Sequence, residues 1–453
     1  MKIIKIVLLF LGIIVLVSCS KDSEPVTSNT TTGYQQYGTP FANIPATKDV
    51  IMYEVNIRAF GHSSNLAAVT ARMDSIKALS VNVIWLMPIF PIGQKNSVNS
   101  PYCIKNYKEV NPEFGTLQDL RTLVDVAHSK NIAVVLDWVA NHTSWDNTWI
   151  SNKAWYTQDG SGNIVSPAGT NWADVADLNY DNQEMRLAMI DAMKYWMYEA
   201  NVDGFRCDAA DYVPFSFWKQ AIDSLKNIPN RKVIMLAEGS RTDHFTAGFQ
   251  MNYAWDFYEA LKGVFVGSTL SSLFNTHLIE INNVSNNGQK LRFTTNHDES
   301  AWDATPMVLF NGKKGALAAS VAAIYLGGVP LIYSSQEVGY YNKLPFFSNT
   351  TIDWSANNDM FTAYKKLLAF YSSNEVLKTG TLKTYYDTDI LIFKRYTSTN
   401  NVVVFINTKN SNQSYTLPEE LKGSNYTNAM TGQNYALASS IYLGAYEYLI
   451  VYR

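Results

Sequence analysis

Gly204-Phe205-Arg206-Cys207-Asp208 reads as a short strand with a charged end. Side chains alternate along a strand, so Arg206 and Asp208, two positions apart, point to the same side. A guanidinium that near favours an ionised carboxylate, the state a carboxylate nucleophile needs; a plain strand-end ion pair is the other reading of the same spacing. Working outward, β-branched runs alternate with helical patterns, giving further candidate strands at 51–56, 81–86, 132–137, 233–236, 291–294 and 329–333, and one near 249–252. That alternation is the signature of parallel βαβ units. Eight such units close a (β/α)8 TIM barrel, whose active site lies where loops leave the C-terminal ends of the strands. The expected fold class is α/β.

The punctuation between these runs sets the domains. The barrel is expected over 45–377. Residues 143–181 are far longer than a usual βα loop and read as a small inserted subdomain. The helix before the strand at 204 is expected to bury Leu187, Ile190, Met193 and Met197 on one face. From 378 to 453 short strands separated by Asn/Ser/Thr-rich turns predict a C-terminal β-sandwich. At the other end, Lys2 and Lys5 precede an apolar run too short for a typical spanning helix, so 1–18 reads as an export leader. Its end, Leu16-Val17-Ser18-Cys19, resembles a bacterial lipobox, which implies cleavage before Cys19 and a lipid on that cysteine. Residues 19–44 then read as a flexible tether. The implied location is the bacterial envelope, at the outer membrane and facing either side of it.

Composition narrows the function classes. A net charge of −3 with 17% charged residues offers no basic field for a phosphate backbone, so nucleic acid is not an expected partner. Three cysteines, one inside the leader, exclude a disulfide framework. Histidines without His-x-His or HExxH spacing argue against a metal-dependent hydrolase, and no organic cofactor motif is present.

Two further carboxyls end candidate strands: Glu238 after Val233-Ile234-Met235-Leu236, and Asp298 after Phe293-Thr294-Thr295-Asn296-His297. A carboxyl at the end of a buried strand can have its pKa raised and act as a general acid. Glycoside hydrolysis needs two carboxyls flanking the bond, and a third acid with imidazoles can clamp sugar hydroxyls.

The motifs DWVANH (137–142), ADLN (176–179), GFRCD (204–208), AEG (237–239) and TNHDE (295–299) stand in this order on or beside strand ends. Together they resemble the α-amylase family of glycoside hydrolases, over roughly 51–333. The resemblance implies Asp208 as nucleophile, Glu238 as general acid/base and Asp298 as transition-state stabiliser. It implies that Arg206 supports the nucleophile, that His142 and His297 bind hydroxyls, that Tyr102 stacks on the sugar being cleaved, and that Asp137 braces the site. Asn141 and Asp177 resemble part of the family's calcium site, so Ca²⁺ is the implied metal. Two departures stand out. Asp211 and Tyr212 replace the Lys-His pair that many α-amylases carry after the nucleophile, and Ser335 replaces a frequent Gly.

The resulting expectation is a retaining, endo-acting hydrolase of α-1,4-glucans, joined to a membrane through Cys19, with its oligomeric state open. An α-glucosidase or glucanotransferase shares the same chemistry. A binding-only starch protein is opposed by the intact acid trio. Trp138, Trp145, Trp149, Trp155 and Trp172 are candidates both for a polysaccharide groove and for core packing.

Overall fold

The computed structural model describes residues 33–60 and 65–453. The leader, Cys19 and His62 lie outside the described residues. Eight parallel strands close a barrel in chain order: β1 (Met52–Val55), β2 (Val83–Leu86), β3 (Ala133–Val139), β4 (Gly204–Asp208), β5 (Ile234–Ala237), β6 (Met251–Tyr253), β7 (Gln289–Arg292) and β8 (Val329–Tyr333). Both faces of each strand are covered, which is why the strands read as nearly continuous apolar runs. Met52, Val83, Trp85, Val135, Leu236 and Leu331 fill the interior, while alternate residues such as Tyr53, Ile84, Val134 and Phe205 pack against the helices outside.

Gly204 starts β4 for a steric reason. Its φ is +155°, and a Cβ there would sit 1.9 Å from the carbonyl oxygen of Ile234. Without a side chain at 204, β4 lies close against β5 and its register is set.

Several expectations are corrected. The seventh strand ends at Arg292, so Asp298 stands on the first turn of a short helix, His297–Trp302, capped by Asn296. In the helix Gln183–Glu199, Leu187 is 53% exposed, and the buried face is formed by Met189, Ile190, Met193, Trp196 and Met197. Residues 34–44, expected as the end of a loose tether, lie along the barrel instead. Tyr37 N–H donates to Tyr198 O (2.8 Å), Tyr34 donates to Asp191 (2.6 Å), and Phe41 stacks on His128 with centroids 4.4 Å apart. Three aromatic rings in a polar stretch supply the anchoring area.

The insertion after β3 is built on an antiparallel pair, His142–Ser144 with Val175–Asp177. Past the helix Glu375–Thr379, a six-stranded antiparallel sheet and a two-stranded one share an apolar core that includes Ile392, Phe405, Leu437 and Ile441. This is the sandwich-like C-terminal unit.

Candidate active site

Strand register assembles the charged centre. Asp137 on β3 is paired with Arg206 on β4, and Val139 with Asp208, at the C-terminal rim. The Glu238 N–H donates to Cys207 O (2.9 Å), which carries β5 one residue further and sets the Glu238 side chain on the same rim. Arg206 is fully buried, with its guanidinium 4.8 Å from the Trp85 ring centre. Its Nη1 donates to Asp137 Oδ1 (2.8 Å) and Asp208 Oδ1 (3.1 Å), and its Nη2 lies 3.0 Å from Glu238 Oε1 without hydrogen-bond alignment. The other Glu238 oxygen accepts from Ala209 N–H (2.6 Å).

One guanidinium therefore faces more acid than it can neutralise. Burial, then the charge of Glu238, holds Asp208 well above the usual carboxylate range against the pull of Arg206. Arg206 was expected to keep Asp208 ionised; the cation is in place, but burial and neighbouring acids outweigh it. Burial likewise pushes Asp137 to about 6 and Asp298 to about 7. Asp208 therefore holds its proton to a higher pH than a free carboxyl does.

Around this centre stands a hydrogen-bonded ring system. The Tyr102 hydroxyl lies 3.0 Å from Asp137 Oδ2, to which it donates, and 2.7 Å from His297 Nε2. Trp85 Nε1 donates to the same Asp137 oxygen (3.0 Å). The Tyr102 and His297 rings are stacked, 5.4 Å apart. His297 Nδ1 is 2.5 Å from Glu54 Oε1, and its Nε2 is 3.3 Å from Asp298 Oδ2. Glu54, the buried acid that orients His297, escaped the sequence reading; its one signal was a carboxylate inside the apolar run of β1. Burial holds the His142 imidazole down to about 4, so it is neutral at pH 7 and can accept as well as donate.

All three acids of the trio open, with Tyr102, His142 and His297, into one cleft of about 480 Å³. Of the five candidate tryptophans only Trp172 lines it; Trp138 is fully buried, and Trp145, Trp149 and Trp155 pack against the core.

Comparison with known proteins agrees with this geometry. The family model described as "Alpha amylase, catalytic domain" matches residues 35–163 and 169–374. The chain belongs to the alpha-amylase family. It is an enzyme of that glycoside hydrolase type. Alpha-amylase 3 of Dictyoglomus thermophilum is 26% identical over 487 residues, covering 90% of this chain and 94% of its own. A cyclomaltodextrin glucanotransferase of Bacillus sp. strain 1011 is 27% identical, over 73% of this chain and 52% of its own. The solved structure of a maltogenic alpha-amylase, AmyB, from Thermotoga neapolitana superposes with a TM-score of 0.81 at 26% identity, covering 90% of this chain and 99% of that one.

The resemblance assigned Asn141 and Asp177 to the family's calcium. Asn141 turns its side-chain amide to His142 Nδ1 (3.2 Å). Burial raises the Asp177 carboxyl. Among the described residues no three His, Cys, Asp or Glu gather to hold a metal ion. The loop after Asp208 is held by protein groups instead. Asp211 accepts from Ser240 N–H (3.1 Å) and Arg241 N–H (3.3 Å), and the Arg241 guanidinium donates to Asp211 O (2.9 Å) and Val213 O (3.1 Å). Ser335 has φ +82°, a left-handed conformation that glycine adopts without strain.

Proposed function

We propose that the protein hydrolyses α-1,4-glucosidic bonds of starch or maltooligosaccharides, within the chain and with retention of configuration. The observation that carries this reading is the Arg206-centred cluster of Asp208 and Glu238, with Asp298 and Tyr102 opening into the same cleft. Glu238 gives its proton to the glycosidic oxygen as the bond from that oxygen to C1 breaks, and Asp208 forms a new bond to C1. Water then attacks C1 from the face the leaving sugar vacated, its proton passes to Glu238, and Asp208 leaves as a carboxylate. Asp298 and His297 bind the hydroxyls of the distorted sugar, and Asp137 and Glu54 hold Arg206 and His297 in place.

Incubation with amylose, maltose, pullulan and trehalose, with products resolved by chromatography and anomeric configuration read by NMR, tests the reading. Rapid loss of amylose viscosity with α-configured new ends is the expected result; β-configured ends sink it. A second reading, transfer to an acceptor sugar, is favoured by the partly exposed Trp172 and Tyr212 rings, 5.8 Å apart beside the acid loop. Products longer than the substrate would establish it.

The sequence Leu16-Val17-Ser18-Cys19 supports a lipid on Cys19 and an enzyme tethered to the outer membrane. Cys19→Ala should then move the protein from the membrane fraction to the soluble one, and retention of that variant on membranes would refute the tether.

A further inference from the structure

Two aromatic patches flank the carboxyl cluster. Trp172 and Tyr212 stand beside the segment that follows Asp208, where Ala209 N–H is bonded to Glu238. The acid protonates the oxygen of the departing sugar, so this is the leaving-group end. The second patch lies past Tyr102, His297 and Asp298, on the side of the sugar that is attacked. There Phe346 stacks on Tyr102 (centroids 5.7 Å, 24° between planes), and Trp302 packs on Phe346 (5.5 Å, 36°). Phe347 meets Phe346 edge-on at 5.1 Å. A continuous run of rings thus leads outward from Tyr102.

Trp302 is 62% exposed and still lines the cleft, so core packing does not account for it. The loop carrying the two phenylalanines is anchored: Asn99 Nδ2 donates to Phe347 O (2.6 Å), Arg58 Nη1 donates to Asn99 O (2.9 Å), and Arg58 pairs with Glu113 (3.2 Å). A rigid, wet aromatic face beside a sugar-cleaving centre matches the apolar C–H face of a glucosyl ring, with little ordering left to do on binding.

We propose that Trp302, walled by Phe346 and Phe347, is a donor-side sugar platform: it stacks on the glucosyl unit adjoining the one held by Tyr102, on the non-reducing side. The inference rests on the glucan-cleaving reading and deepens it by locating where chain length is sensed. A binding experiment separates the two. Titration of maltotetraose into Glu238→Gln and into Glu238→Gln/Trp302→Ala should show Kd about tenfold higher in the double variant, with Glu238→Gln/Trp302→Phe in between. In otherwise unmutated enzyme, Trp302→Ala should lower the ratio of kcat/KM for 4-nitrophenyl α-maltotrioside over 4-nitrophenyl α-glucoside. Trp302→Phe should preserve most of that ratio. Equal maltotetraose affinity with and without Trp302, or an unchanged ratio in Trp302→Ala, overturns the platform. If the unmutated protein cleaves no α-glucan, the functional reading falls, and the maltotetraose titration still decides the platform.

Discussion

Two arginines, Arg206 and Arg292, are fully buried in this molecule, and their surroundings differ in charge balance. Arg292 pairs through Nη1 with a single acid, Glu280; its Nε donates to Gly327 O (3.0 Å), its Nη2 lies 3.0 Å from His277 Nδ1, and its guanidinium covers Phe257 at 4.2 Å. Arg206 has three acids within 3.1 Å, and Asp298 feels its charge as well. The same side chain closes a neutral structural staple in one place and anchors a surplus of carboxyls in the other. Surplus charge taken out of water is costly, and active sites are where such cost is tolerated, because it creates groups that hold or release protons near neutral pH.

The contrast can be broken by mutation. The largest effect is on turnover: Asp208→Asn should lower kcat on amylose by at least about 10³-fold while leaving the thermal transition in place, and near-normal activity would remove Arg206 from the catalytic account. Next, Glu280→Ala leaves Arg292 buried and unpaired, so urea unfolding should show a loss of about 3–5 kcal/mol with kcat of the folded protein preserved. Asp298→Asn should act in the opposite direction. Burial holds Asp298 at about 7 in the folded protein, against about 3.9 in an unfolded chain. Its contribution to stability is fully present below about pH 4 and is lost as pH rises through about 7, whereas asparagine loses nothing. Asp298→Asn should therefore melt roughly 2–4 °C above the unmutated protein at pH 8, and the gap should close near pH 4. A variant that is less stable at pH 8 would deny the surplus. The smallest effect tests the staple: replacing the pair together, Glu280→Leu with Arg292→Met, should stay within about 1 kcal/mol of the parent, because an apolar pair needs no neutral partner.

Much of the charged centre was legible because a parallel barrel points every strand end at one rim. Arg206, Asp208 and Glu238 needed only strand alternation and apolar flanks to be found, and Asp137 came from the family resemblance. The protonation of Asp208 was not legible, since it depends on how many acids crowd one guanidinium, which no pairwise spacing records. Glu54 was invisible for a related reason: it lies 243 positions from His297, and only closure of the barrel joins them. Trp302 ends a six-residue helix too short to show a period, and Phe346 and Phe347 sit in a loop, so no pattern marked them. Residues 34–44 misled because polar composition outweighed three well-spaced aromatic rings.

Asp137, Arg206 and Glu238 come from three neighbouring strands held in step by backbone pairing, whereas the aromatic walls hang from a short helix and a loop beyond the strands. The reacting core and the fittings that select its substrate are therefore mechanically separable. Loops of this molecule can be exchanged to change which sugar chain is gripped, and the cleaving centre beneath them keeps its alignment.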